Sequence, residues 1–501
     1  PTQVHDRTAV LRWLAPRVNA GGRLVTAADT GASASASPRG AAGTLPDVNG
    51  DGLDEVFQLT FSPRQYIVRD GRTGRALWQR SAADMYDAQY AWLGSPARRA
   101  LVVQTFTSSG GVDQAGVAAL DARTGITMWS TTSSPTVGGS LPVAFAEAGG
   151  VLVGGLSARP HRADDVLVGS VSFAASLAGT AGALVPRIID GADGTAGEPG
   201  TPLVADDLPS LTALPDVTGD GTPDYVLTSN GTARQTILEN GATGRPVWQE
   251  TSADGTSFGS YVELLPGAAA GKLGLLVEDG GFDGGSITAY AAATGTVLWT
   301  ARGVGAEVIQ DADHDGVPDV IVLSFGMDFG FDFEEVSGRT GKGRWHVSVQ
   351  PPQGNSASSI GGGDGGDLTG DGVNDLLFTL DVAGRSPVHE QLVIDGRSGR
   401  TGRYHHLEGI PLGARLSSRG DALIDLLGHP GSVTITARDL SRSLWTQSIP
   451  LKGVNSLVFL DFGTLTRARS TDVLVSAFGA GGTYILAMDG HTGRVLWRVR
   501  V

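Results

Sequence analysis

Short runs of Val, Leu and Ile, broken every few residues by Gly, Pro, Asp or Asn, set the pattern of this chain, and helical periodicity over long windows is hard to find. The stretch "YIVRDGRTGRALW" shows the local form: an apolar alternation, an Asp, a Thr-Gly, then a second apolar stretch ending in Trp. It reads as a β-hairpin. The Asp side chain can hydrogen-bond the turn backbone, and Gly after Thr supplies the positive-φ residue that a bulged turn requires.

The phrase repeats. Thr-Gly, three intervening residues and Trp end at Trp78, Trp129, Trp248, Trp299, Trp345 and Trp497, and Trp445 keeps the rhythm without the Thr-Gly. Successive intervals are 51, 119, 51, 46, 100 and 52 residues, so each long gap hides a unit: "IIDGADGTAG" around Asp190 and "VIDGRSGRTGRY" from Val393, where Tyr404 takes the aromatic place. Units of about 50 residues with three or four short strands are the signature of propeller blades. The expected fold is all-β, a single β-propeller of nine repeat units; eight blades plus an irregular unit at "LSSRGDALIDLLG" is the alternative. A bulky ring at one fixed point per unit reads as packing between neighbouring units, so Trp78, Trp129, Trp248, Trp299 and Trp345 are expected to be buried there. Residues 1–43 fit the repeat less well and read as an N-terminal arm and linker, in which "TAVLRWLAP" is either a ring-closing strand or a separate arm; 44–501 carry the propeller.

Composition narrows the function. With 41% hydrophobic residues the chain can bury a core, and its 74 glycines fit frequent turns. The absence of cysteine excludes disulfides, thiolate metal sites and cysteine nucleophiles. A net charge of -15 argues against nonspecific binding to nucleic acid or anionic lipid. The uncharged stretch from Val166 to Pro186 is diluted by Gly, Ser and Thr and reads as strands plus loop, so no membrane span is expected. No secretory leader is visible at "PTQVHDRTAV", so export would require one removed beforehand.

Four acidic loops carry the candidate chemistry: "DVNGDGLDEV" from Asp47, "DVTGDGTPDY" from Asp216, "DADHDGVPDV" from Asp311 and "DLTGDGVNDL" from Asp367. Side-chain oxygens at positions 1, 3 and 5, a backbone carbonyl at 7 and a carboxylate at 9 suit calcium, which takes six to eight oxygens in flexible geometry. The ligand sets are Asp47, Asn49, Asp51, Leu53 and Glu55; Asp216, Thr218, Asp220, Thr222 and Asp224; Asp311, Asp313, Asp315, Val317 and Asp319; and Asp367, Thr369, Asp371, Val373 and Asp375. Gly at 6 permits the sharp turn. An EF-hand would need Glu at position 12, where Gln58, Leu227, Val322 and Phe378 stand in β-like runs. A metal-free turn would crowd unpaired carboxylates that repel one another. About four structural Ca2+ ions are expected, in units 1, 4, 6 and 7, and would take the net charge of -15 to -7.

These loops resemble the FG-GAP/VCBS repeats of integrin-α-type β-propellers, a resemblance that implies calcium bound between the first two strands of a blade. The "DGRTGRALW" phrase looks like the PQQ-like quinoprotein repeat, which implies a Trp docking adjacent blades. Together they cover about residues 44–501. The chain departs from these families in that five units lack the calcium loop and nine units exceed the usual seven or eight blades.

Other signals are weak. "GTSFG" at 255–259 lacks the strand-to-helix context of a nucleophile elbow, and "GGGDGG" at 361–366 opens an acidic loop instead of a helix. "RGD" at 419–421 is a short match, and His405 and His406 are adjacent, so in a strand they face opposite sides. With no vicinal cysteines and only Trp13 and Trp92 outside the repeat, a quinone cofactor is not expected. The expected function is a secreted or cell-surface, noncatalytic binding or adhesion module, monomeric, for a protein or glycan ligand. A polysaccharide lyase or hydrolase on the same ring is the competing reading. Ligand contacts are expected on "SARPHRADD" from Ser157, "EDGGFDGG" from Glu278 and "FGMDFGFDFEE" from Phe325.

Overall fold

The computed structural model describes residues 40–45, 47–61, 63–81, 85–92, 99–109, 112–133, 152–154, 165–171, 182–205, 210–229, 234–252, 257–258, 262–269, 272–281, 285–325, 330–350, 356–383, 388–404, 412–417, 420–429, 431–440, 442–451, 454–466, 471–479 and 482–500. Among them every regular element is a β-strand, and the strands form nine separate sheets. Numbered along the chain, the sheets span 40–81, 85–133, 152–205, 210–252, 257–302, 305–349, 356–404, 412–450 and 454–500. Seven are four-stranded meanders in which sequence neighbours pair, and sheets 3 and 5 have five strands. The fold is all-β and of the β-propeller type. Among the described residues no helix is long and apolar enough to cross a membrane.

The first strand, Gly40–Leu45, begins inside the stretch that the sequence assigns to the arm. Residues 1–39, Trp13 among them, lie outside the described residues.

The described residues fall into two compact bodies, one made of those up to 81 and from 305 onward, the other of those from 82 to 304. Within the first, sheets 8 and 9 share a core of Ile424, Val433, Ile435, Val473, Val475 and Leu486. Sheets 9 and 1 join through Ala42, Val56, Leu474, Ile485 and Trp497, so the first and last sheets pack together. Within the second, sheets 4 and 5 pack through Leu214, Val226, Leu238, Val262, Leu275 and Val277. Inner strands are covered on both faces, which is why Asp224–Thr228 is buried along its whole length and Val320, Ile321, Val322 and Leu323 read as a continuous apolar run.

In seven of the nine sheets, all but sheets 3 and 7, the last hairpin places a tryptophan. In sheet 1, Asp70 Oδ1 accepts from the Thr73 N–H and hydroxyl, the Gly74 N–H closes on the Asp70 carbonyl, and Gly74 takes φ 70°. Register then slips by one residue just before the ring: Arg69 faces Ala76, but Val68 faces Trp78. The same slip precedes Trp129, Trp248, Trp299, Trp345, Trp445 and Trp497. A bulge of this kind turns the side chain that follows it. Trp129, Trp248, Trp345 and Trp445 reach the turn of the next sheet and donate their indole N–H to the carbonyls of Gly191, Ala292, Gly396 and Gly490.

Two expectations change. Trp129 and Trp299 are buried, but Trp78, Trp248 and Trp345 are half-buried, although all five stand on the outermost strand of their sheets. Tyr404 does not take the aromatic place. The sheet 7 hairpin has no slip, so Gly402 faces Val393, the counterpart of Val68, and Tyr404 faces Gln391.

Candidate metal-binding loops

Each acidic loop links the first and second strands of its sheet, in sheets 1, 4, 6 and 7. Its shape is set by carboxylates accepting backbone N–H groups a few residues away. Asp47 accepts from Gly50, Asp51 and Gly52 at 2.6, 3.2 and 2.9 Å. Asp216 and Asp367 repeat all three bonds, and Asp311 takes the N–H groups of Asp315 and Gly316. At position 5, Asp51, Asp220, Asp315 and Asp371 each accept from the residue at position 7 through Oδ1. This wrapping needs left-handed backbone twice. Position 6 is Gly throughout, at φ 85° to 91°; position 4 is Gly50, Gly219 and Gly370, and in sheet 6 His314 at φ 63°. The second left-handed position was legible in three of the four loops.

The position 9 carboxylates act as struts. Asp224, Asp319 and Asp375 are fully buried; one oxygen takes the N–H groups at positions 2 and 3 of the loop in Asp224 and Asp319 and at position 3 alone in Asp375, and the other takes the turn glycine of the sheet's last hairpin, Gly241, Gly338 or Gly396. Glu55, one carbon longer, takes Val48 N–H and the Asn49 amide. Sheet 9 has the same strut without the acidic loop: Asp472 accepts from Thr466 N–H at 2.6 Å and Gly490 N–H at 3.0 Å, although its loop reads "TLTRARSTD". The strut therefore does not require an acidic loop, and the sequence reading missed it.

The loops differ in what they gather. Oxygens of Asp47, Asp51 and Glu55 lie within 4.8 Å of one another, as do those of Asp311, Asp313 and Asp315. In sheets 4 and 7 position 3 is Thr218 or Thr369, and no group of three carboxylates forms among the described residues. Burial pushes Glu55 up to about 8, with Asp47, Asp51 and Asp70 adding to the rise and the Val48 N–H opposing it. Burial likewise raises Asp375 to about 6 and raises Asp224 and Asp319. For Asp311 burial acts upward too, but the N–H groups of Gly316 and Asp315 outweigh it and hold the carboxyl low. A hard cation among these oxygens would keep the buried carboxylates ionised. The donor set, carboxylate and carbonyl oxygen without nitrogen or sulfur, fits calcium.

Sheet 6 carries an addition. Glu335 stands two residues before its turn, where the other hairpins bury Val68, Ala119, Ile188, Leu238, Ala289, Val393, Ala437 or Ala487. Fully buried, it pairs with Arg344 at 2.5 Å, and Arg344 also lies 3.3 Å from Asp319. Glu335 Oε2 has no hydrogen-bond partner. Burial pushes Glu335 up to about 7, Arg344 opposing and Asp319 adding. A charged pair in place of an apolar one was visible in "FEEVSGRTGKGRW", and the sequence reading passed over it.

Of the other candidates, "GGGDGG" lies in the strand Ser356–Gly366 and opens no helix. Ser257–Phe258 form a two-residue strand, while the rest of "GTSFG" lies outside the described residues, as do His405, His406 and Arg419. Residues 155–164, 282–284 and 326–329, the centres of the three expected ligand loops, also lie outside them.

A family model described as outer membrane protein assembly factor BamB matches residues 193–401. Protein FAM234B of Homo sapiens is 30% identical over 149 residues, 26% of this chain and 23% of that protein. The chain thus matches about a quarter of the length of these curated relatives. Among solved structures, Saccharomyces cerevisiae Sqt1 aligns at a TM-score of 0.40 with 12% identity, over 72% of this chain and 86% of that one. A europium-containing methanol dehydrogenase aligns at 0.33 with 13% identity, over 90% and 76%.

Proposed function

We propose that this chain is a noncatalytic binding module, secreted or displayed at the cell surface, for a protein or glycan ligand, and that its acidic loops hold calcium structurally. One observation carries the reading: the repeated polar residues end in backbone hydrogen bonds that build the sheets, and the carboxylates left over converge in the loops of sheets 1 and 6. Asp47, Asp51, Glu55 and the Leu53 carbonyl would hold one ion; Asp311, Asp313, Asp315, Asp319 and the Val317 carbonyl would hold another. The ion supplies a fixed positive charge that offsets buried carboxylates. Affinities of about 10⁻⁴ to 10⁻³ M, usual for extracellular calcium modules, would suit an exported protein. The match of residues 193–401 to a family described as an assembly factor supports a binding role and puts a protein partner first.

The test is retention on immobilised cell-envelope proteins and on a polysaccharide panel, with calcium present, read together with product formation. Retention without new reducing ends or unsaturated products is expected. Turnover of any polymer overturns the noncatalytic reading in favour of a lyase or hydrolase.

A further inference from the structure

The position 5 aspartates have one oxygen to spare. In all four loops Oδ1 is taken by the N–H at position 7, which leaves Oδ2 as the oxygen available to a cation. What holds Oδ2 differs from sheet to sheet. In sheet 6 the Arg339 guanidinium folds over the loop, with Nε 3.3 Å from Asp315 Oδ2 and Nη2 donating to the Asp315 carbonyl at 2.5 Å. In sheet 7 Arg397 does the same to Asp371, at 3.2 and 3.0 Å. Both arginines occupy one place, the second residue after the start of the hairpin turn, and both side chains are about 40% exposed (41% and 40%). Sheet 4 has Ala242 there, and the Asn240 amide donates to Asp220 Oδ2 instead. In sheet 1 the residue is Arg72, yet among the described residues no donor contacts Asp51 Oδ2.

We propose that Arg339 and Arg397 are built-in competitors of calcium: each guanidinium occupies the ligand oxygen of its loop, so the loops of sheets 6 and 7 fill only after that of sheet 1. The inference rests on the calcium reading of these loops. Sheet 6 adds a geometric observation: Arg344 takes one oxygen of the fully buried Glu335, and the other, Oε2, has no hydrogen-bond partner. A guanidinium is a monovalent cation on a flexible stem, and a fork of N–H donors matches a carboxylate and a carbonyl together. It holds the loop closed without metal. When calcium enters, the two positive charges contend for one oxygen, and the half-exposed arginine can swing into water at small cost. The result is a loop that keeps its shape in low calcium and resists loading, in contrast to the sheet 1 loop.

Calorimetric titration of the whole chain with calcium tests this, with Arg339→Ala, Arg397→Ala and Asp51→Asn variants and melting curves in chelator and in calcium. Removing an exposed ion pair should tighten one site by roughly two- to fivefold for each arginine variant. The arginine variants should also melt below wild type in chelator and gain more from calcium than wild type does. Asp51→Asn should abolish the tightest site and leave the weaker ones. Unchanged or weaker binding in both arginine variants overturns the proposal while leaving calcium binding intact. No binding in wild type or in either arginine variant overturns both readings.

Discussion

Trp497 donates its indole N–H to the carbonyl of Gly71, 426 residues earlier, at 2.6 Å, and so fastens the last sheet of the chain to the first. The same ring covers Gly74, where a Cβ atom would lie 2.8 Å from the indole. Gly194, Gly295, Gly399 and Gly493 meet Trp129, Trp248, Trp345 and Trp445 in the same way. The turn glycine is thus required twice, once for its positive φ and once for the room it leaves.

Gly74→Ala should therefore cost about 2–4 kcal/mol, of which about 1–2 comes from the left-handed backbone and the rest from displacing the ring. Trp497→Ala should cost about 3–5 kcal/mol. In the Trp497→Ala background the glycine substitution should keep only its backbone share. Urea unfolding of the two single variants and the double variant checks this; full additivity would mean that the ring does not limit the turn.

Asp472→Asn should destabilise by about 1–3 kcal/mol, because an amide can accept only one of the two N–H groups that the carboxylate takes and turns its own donor on the other. Burial raises the Asp472 pKa, so the folded state binds that proton more readily than the unfolded chain. This contribution is fully present below the unfolded value of about 3.9 and is lost as pH rises through the raised folded value. The stability gap between wild type and Asp472→Asn should narrow from pH 4 to pH 7. Denaturant midpoints across that range measure it, and a widening gap would reject the raised pKa.

Arg344→Ala should cost about 2–4 kcal/mol by stranding the buried Glu335, less than for a wholly buried pair because 30% of the arginine side chain faces water. The double variant Glu335→Val/Arg344→Leu installs the residue types of Val68 and Leu77 at the same places in sheet 1. It should recover wild-type stability or exceed it. If the double variant is as unstable as the single one, the pair contributes more than apolar packing would.

Chelation should lower the melting temperature, and Asp47→Ala or Asp311→Ala should each remove one bound ion without unfolding the chain. Elemental analysis of the purified protein and differential scanning calorimetry with and without chelator read both effects. No bound metal together with an unchanged melt would remove calcium from the account of these loops.

Everything that closes within a few residues was written in the chain. Asp70 to Thr73 and Gly74, or Asp47 to Gly52, are bonds between near neighbours, so residue type and spacing sufficed to place the hairpins and the four loops in units 1, 4, 6 and 7. Contacts between strands depend on register. A one-residue slip before Trp497, absent before Tyr404, separates a docked ring from a Gly402 opposite Val393, and no local pattern announced it. Packing likewise decided that Asp472 braces Gly490 from 18 residues away and that Arg339 reaches back 24 residues to Asp315. Ring burial was decided in the same way: Trp129 and Trp299 are buried and Trp78, Trp248 and Trp345 half-buried on the same kind of outer strand, because what covers a side chain is set by the sheets around it, not by the residues beside it in sequence.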